Sequence, residues 1–156
     1  MSGNTATPLS VSMSELPAVH VAYLVYAANA EPGDLYNEIR KCFQRVQKWV
    51  QTLGLDPFTL LHVGIPVVED GQLSRYECCV EVPATVRSGL DDIGIKELPG
   101  GRYAVVSIRK DPAIIGDSIA RFYQEYVPQN RIEIDGMRPT YEIYYESTME
   151  YCVPIR

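Results

Sequence analysis

Eight residues near the start of the chain return in its second half. Residues 15–22 read ELPAVHVA and residues 97–104 read ELPGGRYA, which aligns Glu15 with Glu97, Leu16 with Leu98, Pro17 with Pro99 and Ala22 with Ala104. A second echo lies further on, where Glu77-Cys78-Cys79-Val80 matches Glu150-Tyr151-Cys152-Val153 as E-x-C-V. Two matches in the same order, bracketing similar elements, predict a duplicated unit. The copies run from about 11 to 83 and from about 93 to 156 of the 156 residues, behind a flexible Ser/Thr/Asn/Gly-rich tail over 1–10. Together they make one domain of ordinary size.

Within each copy the pattern reads strand, helix, strand, strand. Leu35, Ile39, Cys42, Phe43, Val46, Trp49, Val50 and Leu53 form the stripe of an amphipathic helix over about 34–53. Asp34 is placed as its N-cap and Gly54 as its stop. A second helix is predicted over about 117–127, with Ile119, Phe122, Tyr123, Tyr126 and Val127 on one face and Pro128 ending it. The strands alternate. Tyr76, Cys78, Val80 and Val82 oppose Glu77, Cys79 and Glu81; Tyr141, Ile143 and Tyr145 oppose Glu142, Tyr144 and Glu146. Period two with one apolar face predicts half-buried antiparallel strands. Residues 19–26 and 102–108 are apolar on nearly both faces and should be central. The fold class expected is α+β: a tandem βαββ repeat with a pseudo-two-fold antiparallel sheet of about eight strands, two helices and a central groove.

Composition excludes several functions. The formal net charge is −6 and no Lys/Arg cluster occurs, so direct nucleic-acid binding is not expected. No stretch approaches the roughly 20 apolar residues of a membrane helix, and no basic-plus-apolar leader opens the chain. A cytosolic protein with four reduced thiols, Cys42, Cys78, Cys79 and Cys152, is expected. These form no C-x-x-C pair, and His20 and His62 are the only imidazoles, so neither a metal nor another cofactor is implied. No G-x-S-x-G is present, which removes support for a serine hydrolase, and Gly100-Gly101 precedes a strand and reads as a turn, not a phosphate loop.

Glu142 is the strongest candidate for a functional side chain. Its face is either plain solvent or the floor of a groove. Tyr144, two residues on, favours the groove, since a large ring is seldom left in open water. A carboxylate beside aromatic rings suits a lipophilic cation, through charge pairing and cation–π attraction. The chain has 11 tyrosines, 1 tryptophan and 3 phenylalanines. Trp49, Tyr103 and Tyr126 are further candidates for the lining, although Trp49 and Tyr126 equally suit a helix–sheet core.

Leu98-Pro99-Gly100-Gly101-Arg102-Tyr103-Ala104-Val105-Val106, the helix near 117–127, Tyr141-Glu142-Ile143-Tyr144 and the closing Tyr151-Cys152-Val153-Pro154-Ile155 together resemble the GyrI-like domain. That family includes the DNA gyrase inhibitory protein and the effector-binding domains of AraC-type and MerR-type regulators. The resemblance runs from about Val11 to Arg156. It implies a groove between two βαββ halves, small and often cationic aromatic ligands, and a pocket glutamate at Glu142 beside Tyr144. One stretch departs: where many members carry a Gly-Pro-Tyr-like sequence, this chain has Lys110-Asp111-Pro112-Ala113-Ile114. A different pocket rim is expected there. Too few residues precede the first strand for a helix-turn-helix, so the expected function is a stand-alone binder that sequesters or senses such compounds. The alternatives are a gyrase-inhibitor-like module with a topoisomerase or regulator as protein partner, or a small-molecule hydrolase using the pocket glutamate.

Overall fold

Eight antiparallel strands form one sheet in the order β1-β6-β8-β7-β3-β4-β2-β5. The structure, a computed structural model, describes residues 8–28 and 35–156. In chain order the elements are β1 (Ser10–Leu16), β2 (Val19–Ala27), α1 (Leu35–Thr52), β3 (His62–Glu69), β4 (Gln72–Glu81), β5 (Gly94–Leu98), β6 (Gly101–Arg109), α2 (Pro112–Arg121), β7 (Tyr141–Tyr144) and β8 (Thr148–Pro154). Residues 1–7 of the expected tail, and Asp34 with the residues before it from 29, lie outside the described residues, whereas Ser10, the last residue assigned to the tail, opens β1.

The strand order is its own reverse when β1–β4 are exchanged with β5–β8, so the sheet has the symmetry that the duplication predicts. The registers agree residue by residue. Leu16 pairs with Gly101 as Leu98 pairs with Val19, and Ala22 pairs with Val80 as Ala104 pairs with Val153. The repeat unit is larger than expected: it is ββαββ. The E-L-P segment spans a corner at which β1 turns into β2, or β5 into β6. The two arms of each corner do not pair with each other. Instead β1 pairs with β6 and β5 with β2, so each copy lends its first strand to the other.

This exchange curls the sheet. Five strands lie between β5 and β6 in the sheet order. In a flat sheet they would stand about 29 Å apart at about 4.8 Å per strand. The Pro99-Gly100 link reaches at most about 11 Å. The same holds for β1 and β2 across Pro17-Ala18. The sheet therefore closes into a half-barrel whose two corners touch. At Gly100 an added Cβ would lie 2.2 Å from the Leu16 carbonyl oxygen, so this corner requires glycine.

One core fills the inside of the curl and joins Val21, Val63, Ile65, Cys79, Leu98, Tyr103, Val105, Tyr141, Ile143 and Cys152. On the outer face α1 packs Val46 and Val50 on Ala22, Leu24, Val80 and Val82. The α2 segment packs Phe122 on Ala104, Val106, Met149 and Val153. Burying a side chain such as Val46 or Val106 contributes about 1.5–3 kcal/mol. Strands expected to be half-buried are thus covered on both faces: residues 76–80 are all buried, because the sheet encloses one core and carries the helices on another. β2 and β6 are interior, each one strand in from an edge; the middle of the sheet is the β3–β7 pair.

Gly54, at φ 82°, ends the first helix as expected. The second helix starts earlier than expected. The Asp111 side chain accepts from Ala113 N–H at 3.0 Å and Pro112 takes the first turn, the usual pairing of an N-cap with a proline that needs no donor. Nor does it stop before Pro128. Phe122–Tyr126 widen into a π-turn, with Val127 N–H donating to Phe122 O, and helical structure runs on to Gln129. The wider turn absorbs the proline at its end. No helix among the described residues is long and apolar enough to cross a membrane.

Candidate functional site

At the middle of the sheet, Gly64 pairs with Glu142, and the pseudo-two-fold axis passes between them. They are also counterparts in the duplication, since Gly64 opposes Cys78 as Glu142 opposes Tyr151. Glu142 lies on the outer face, where α1 and α2 flank the middle strands. Glu142 is half-buried there.

Two phenols converge on its Oε1. Tyr76 Oη donates at 2.6 Å and Tyr144 Oη at 2.9 Å, and the two phenol oxygens stand 2.5 Å apart. Tyr144 comes from the same face of β7; Tyr76 comes from β4, across the axis. Tyr76 reaches the carboxylate because position 64 is glycine: a Cβ there would lie 1.8 Å from Tyr76 Oη. Oε2 has no hydrogen-bond partner among the described residues. Burial pushes the Glu142 carboxyl above its ordinary range, against the opposing pull of the two phenols. The phenols are pushed up in turn, first by burial and then by the charge on Glu142. A carboxylate that stays poorly solvated, with one oxygen uncommitted, is relieved by a cation or a proton.

Aromatic rings surround it. On the α1 side, Phe43 meets Tyr144 edge-on at 5.8 Å and leans on His62 at 5.9 Å. His62 donates from Nδ1 to Leu60 O at 2.9 Å and accepts at Nε2 from Gln47, also at 2.9 Å. Burial lowers its pKa, so it stands as a neutral polar wall. Towards α2, Tyr151 lies across the strand pair from Glu142, and its Oη is 2.9 Å from Tyr123 Oη. Tyr123 projects from the π-turn. Lys110 Nζ stands 5.8 Å from the Tyr144 ring centroid.

Of the residues singled out from sequence, Glu142 and Tyr144 are brought together. Trp49 packs with the α1 core, and Tyr126 stacks on Phe122 at 5.7 Å under α2. Tyr103 is on the other face of the sheet. It is fully buried inside the curl, stacked on Tyr141 at 5.3 Å, with its hydroxyl on Pro139 O at 3.0 Å. Strand parity separates it from Glu142: Tyr103 and Val105 point inward while Ala104 and Val106 meet α2. Tyr76, Phe43, His62, Tyr123 and Tyr151 were not singled out for the site. Tyr76 could be assigned to one strand face with Cys78, but only the β3–β7 pairing shows that this is also the face of Glu142.

Two cavities open elsewhere. One, of about 400 Å³, lies on the polar flank of α1 from Lys41 to Gln51; the other, of about 350 Å³, lies at the mouth of the inner core between Ile65, Arg75, Lys96 and Arg138. Neither includes Glu142. His20, by contrast with His62, only ties β2 to the Val86 carbonyl at 2.7 Å. No group of three metal-ligating side chains occurs among the described residues, and the four cysteines are free thiols.

The GyrI-like small molecule binding domain model matches residues 10–156. No curated protein sequence matches the chain. Several solved structures share the fold. The C-terminal domain of EcmrR superposes with a TM-score of 0.72 at 13% identity, over 95% of this chain and 98% of that one. A hydrolase from Listeria innocua gives 0.67 at 10% identity, over 97% and 94%. SAV2435, solved bound to tetraphenylphosphonium, gives 0.64 at 13% identity, over 94% of both chains.

Proposed function

The chain belongs to the GyrI-like small-molecule-binding family, and we propose that its ligands are lipophilic cations held at Glu142 in the groove between α1 and α2. The observation that carries this reading is the carboxylate itself. It is half-buried, shares one oxygen between Tyr76 and Tyr144, and has no cationic partner among the described residues. The rings of Tyr144, Phe43, Tyr151 and Tyr123 offer apolar contact and π faces to the same visitor. SAV2435, of the same fold, carries a cation of this chemical kind. Phe43 and Tyr144, which meet edge-on at 5.8 Å, are the rings a visitor to Glu142 would meet first. The role that follows is sequestration or sensing.

The test compares tetraphenylphosphonium with the neutral triphenylphosphine oxide by calorimetry. Glu142→Gln keeps the shape and removes the charge. Losing a desolvated charge pair costs on the order of 2–5 kcal/mol, so cation affinity should fall more than tenfold. Binding of the neutral compound should change little. Equal loss for both ligands would give Glu142 a packing role; no loss for either would end the proposal.

A second reading has one specific support. A carboxyl with a raised pKa beside two phenols can also act as an acid–base set on water, and one similar structure is a hydrolase. Slow conversion of a bound compound, abolished in Glu142→Gln and followed by mass spectrometry, would favour it.

A further inference from the structure

Lys110 opens the Lys110-Asp111-Pro112-Ala113-Ile114 stretch that leads from β6 into α2, and the structure shows what that stretch builds. Lys110 follows the last residue of β6, and Asp111 caps α2 directly after it. Its backbone is held from both sides: Lys110 N–H donates to Ser147 O at 3.1 Å, and Asp111 N–H to Arg109 O at 2.7 Å. The side chain is exposed yet directed. Its ammonium donates to Tyr145 O at 2.8 Å and stands 5.8 Å from the centroid of the Tyr144 ring, within reach of a cation–π contact. Tyr144 is the ring whose hydroxyl grips Glu142, and Phe43 takes its edge. The protein thus brings a cation of its own to the aromatic wall that a ligand cation would use.

We propose that Lys110 is a specificity-determining residue, a resident cation at the rim of the groove that raises the threshold for cationic ligands and leaves neutral aromatic ones untouched. This rests on the reading of Glu142 as a cation site. Two positive charges cannot share one ring without repulsion, so a ligand must either displace the ammonium or bind against its field. Displacement costs the lysine its hydrogen bond to Tyr145 O. The exposed, flexible stem lets it swing outward once a bulky cation arrives, and the pinned backbone returns it when the ligand leaves. A cation that spreads its charge over large apolar groups gains enough contact to offset this cost. A small ammonium ion does not.

Calorimetry on the full chain tests the proposal, with tetraphenylphosphonium as the cation and triphenylphosphine oxide as the neutral probe. In Lys110→Met the cation should bind about three- to tenfold tighter at low salt, and the gain should shrink as salt screens the exposed charge. The neutral probe should bind as before. Lys110→Arg keeps the charge and should behave as wild type. Cation affinity that is unchanged or weaker in Lys110→Met overturns the inference while leaving the Glu142 reading intact, provided that wild type binds the cation and Glu142→Gln does not. An equal gain for both probes makes Lys110 a steric plug and equally overturns the charge filter. If wild type binds no cation, both readings fall together.

Discussion

The two halves of this molecule share one register and differ where it matters most. At the axis the first half has Gly64 and the second has Glu142; beside them Tyr76 stands where the second half has Met149, and Cys78 where it has Tyr151. A perfect duplication could not have made this site. Residues directly opposite in an antiparallel pair carry Cβ atoms about 4.5–5.5 Å apart. Two glutamates there would face each other as like charges, and one would hold a proton. With glycine in one copy, a single carboxylate occupies the axis and a phenol from the glycine-bearing half can cross to it. The helices diverge in the same sense. α1 is regular through its 18 residues, whereas the second helix breaks into a π-turn that presents Tyr123 to Tyr151.

Giving both halves a side chain at the axis should do the most damage. In Gly64→Ala the new methyl would lie 1.8 Å from Tyr76 Oη, so the ring must leave the carboxylate. Overpacking of this kind costs about 1–3 kcal/mol. The thermal midpoint should drop by several degrees, and tetraphenylphosphonium affinity by more than tenfold. A variant that melts and binds as wild type would show that the glycine is not what admits Tyr76.

A milder change removes only the crossing phenol's hydroxyl. Tyr76→Phe keeps the ring and deletes one of two hydrogen bonds to the ionised Glu142. Both bonds favour the charged form, so the pH midpoint of cation binding should move upward. The double variant with Tyr144→Phe should move it further. Tyr76→Met, which copies the Met149 of the other half, should match the single Phe variant in midpoint while losing aromatic contact with the ligand. An unmoved midpoint would mean that the phenols only pack.

Much of this was legible in the sequence. The ELP and E-x-C-V echoes carry the duplication, and the observed registers pair those very residues. Glu142 and Tyr144 follow from strand parity within four residues. What local pattern could not supply is which strands from distant parts of the chain become neighbours. The strand exchange that pairs β1 with β6 is invisible because the corners at Pro17 and Pro99 interrupt no apolar run. Tyr76 lies beside Glu142 only because β3 meets β7 across the axis, and Tyr103 lies on the opposite face of the sheet because the curl gives it an apolar inside as well as a helix-covered outside. The early start of α2 was legible in principle, because Asp111-Pro112 is a helix opening ahead of the apolar stripe that marks the helix from about residue 117.

The smallest effect distinguishes the halves by pH alone. Burial raises the Glu142 carboxyl above its unfolded range, and Gly64 has nothing to titrate. A carboxyl raised on folding favours the folded state while it is protonated. Its stabilising contribution is present below the unfolded pKa and is lost as pH rises through the folded one. Glu142→Gln, which carries no proton to lose, should therefore match wild type in acid and become a few degrees more stable as pH rises through the carboxylate range, with the gap level above it. Tetraphenylphosphonium should invert the trend in wild type, because a ligand that binds the ionised carboxylate stabilises the fold increasingly as the proton leaves. Thermal melts across pH, with and without the cation, read both slopes. A wild-type curve parallel to that of Glu142→Gln at every pH would mean that the carboxylate at the axis is as well solvated folded as unfolded, and the difference between the halves would be one of shape and not of charge.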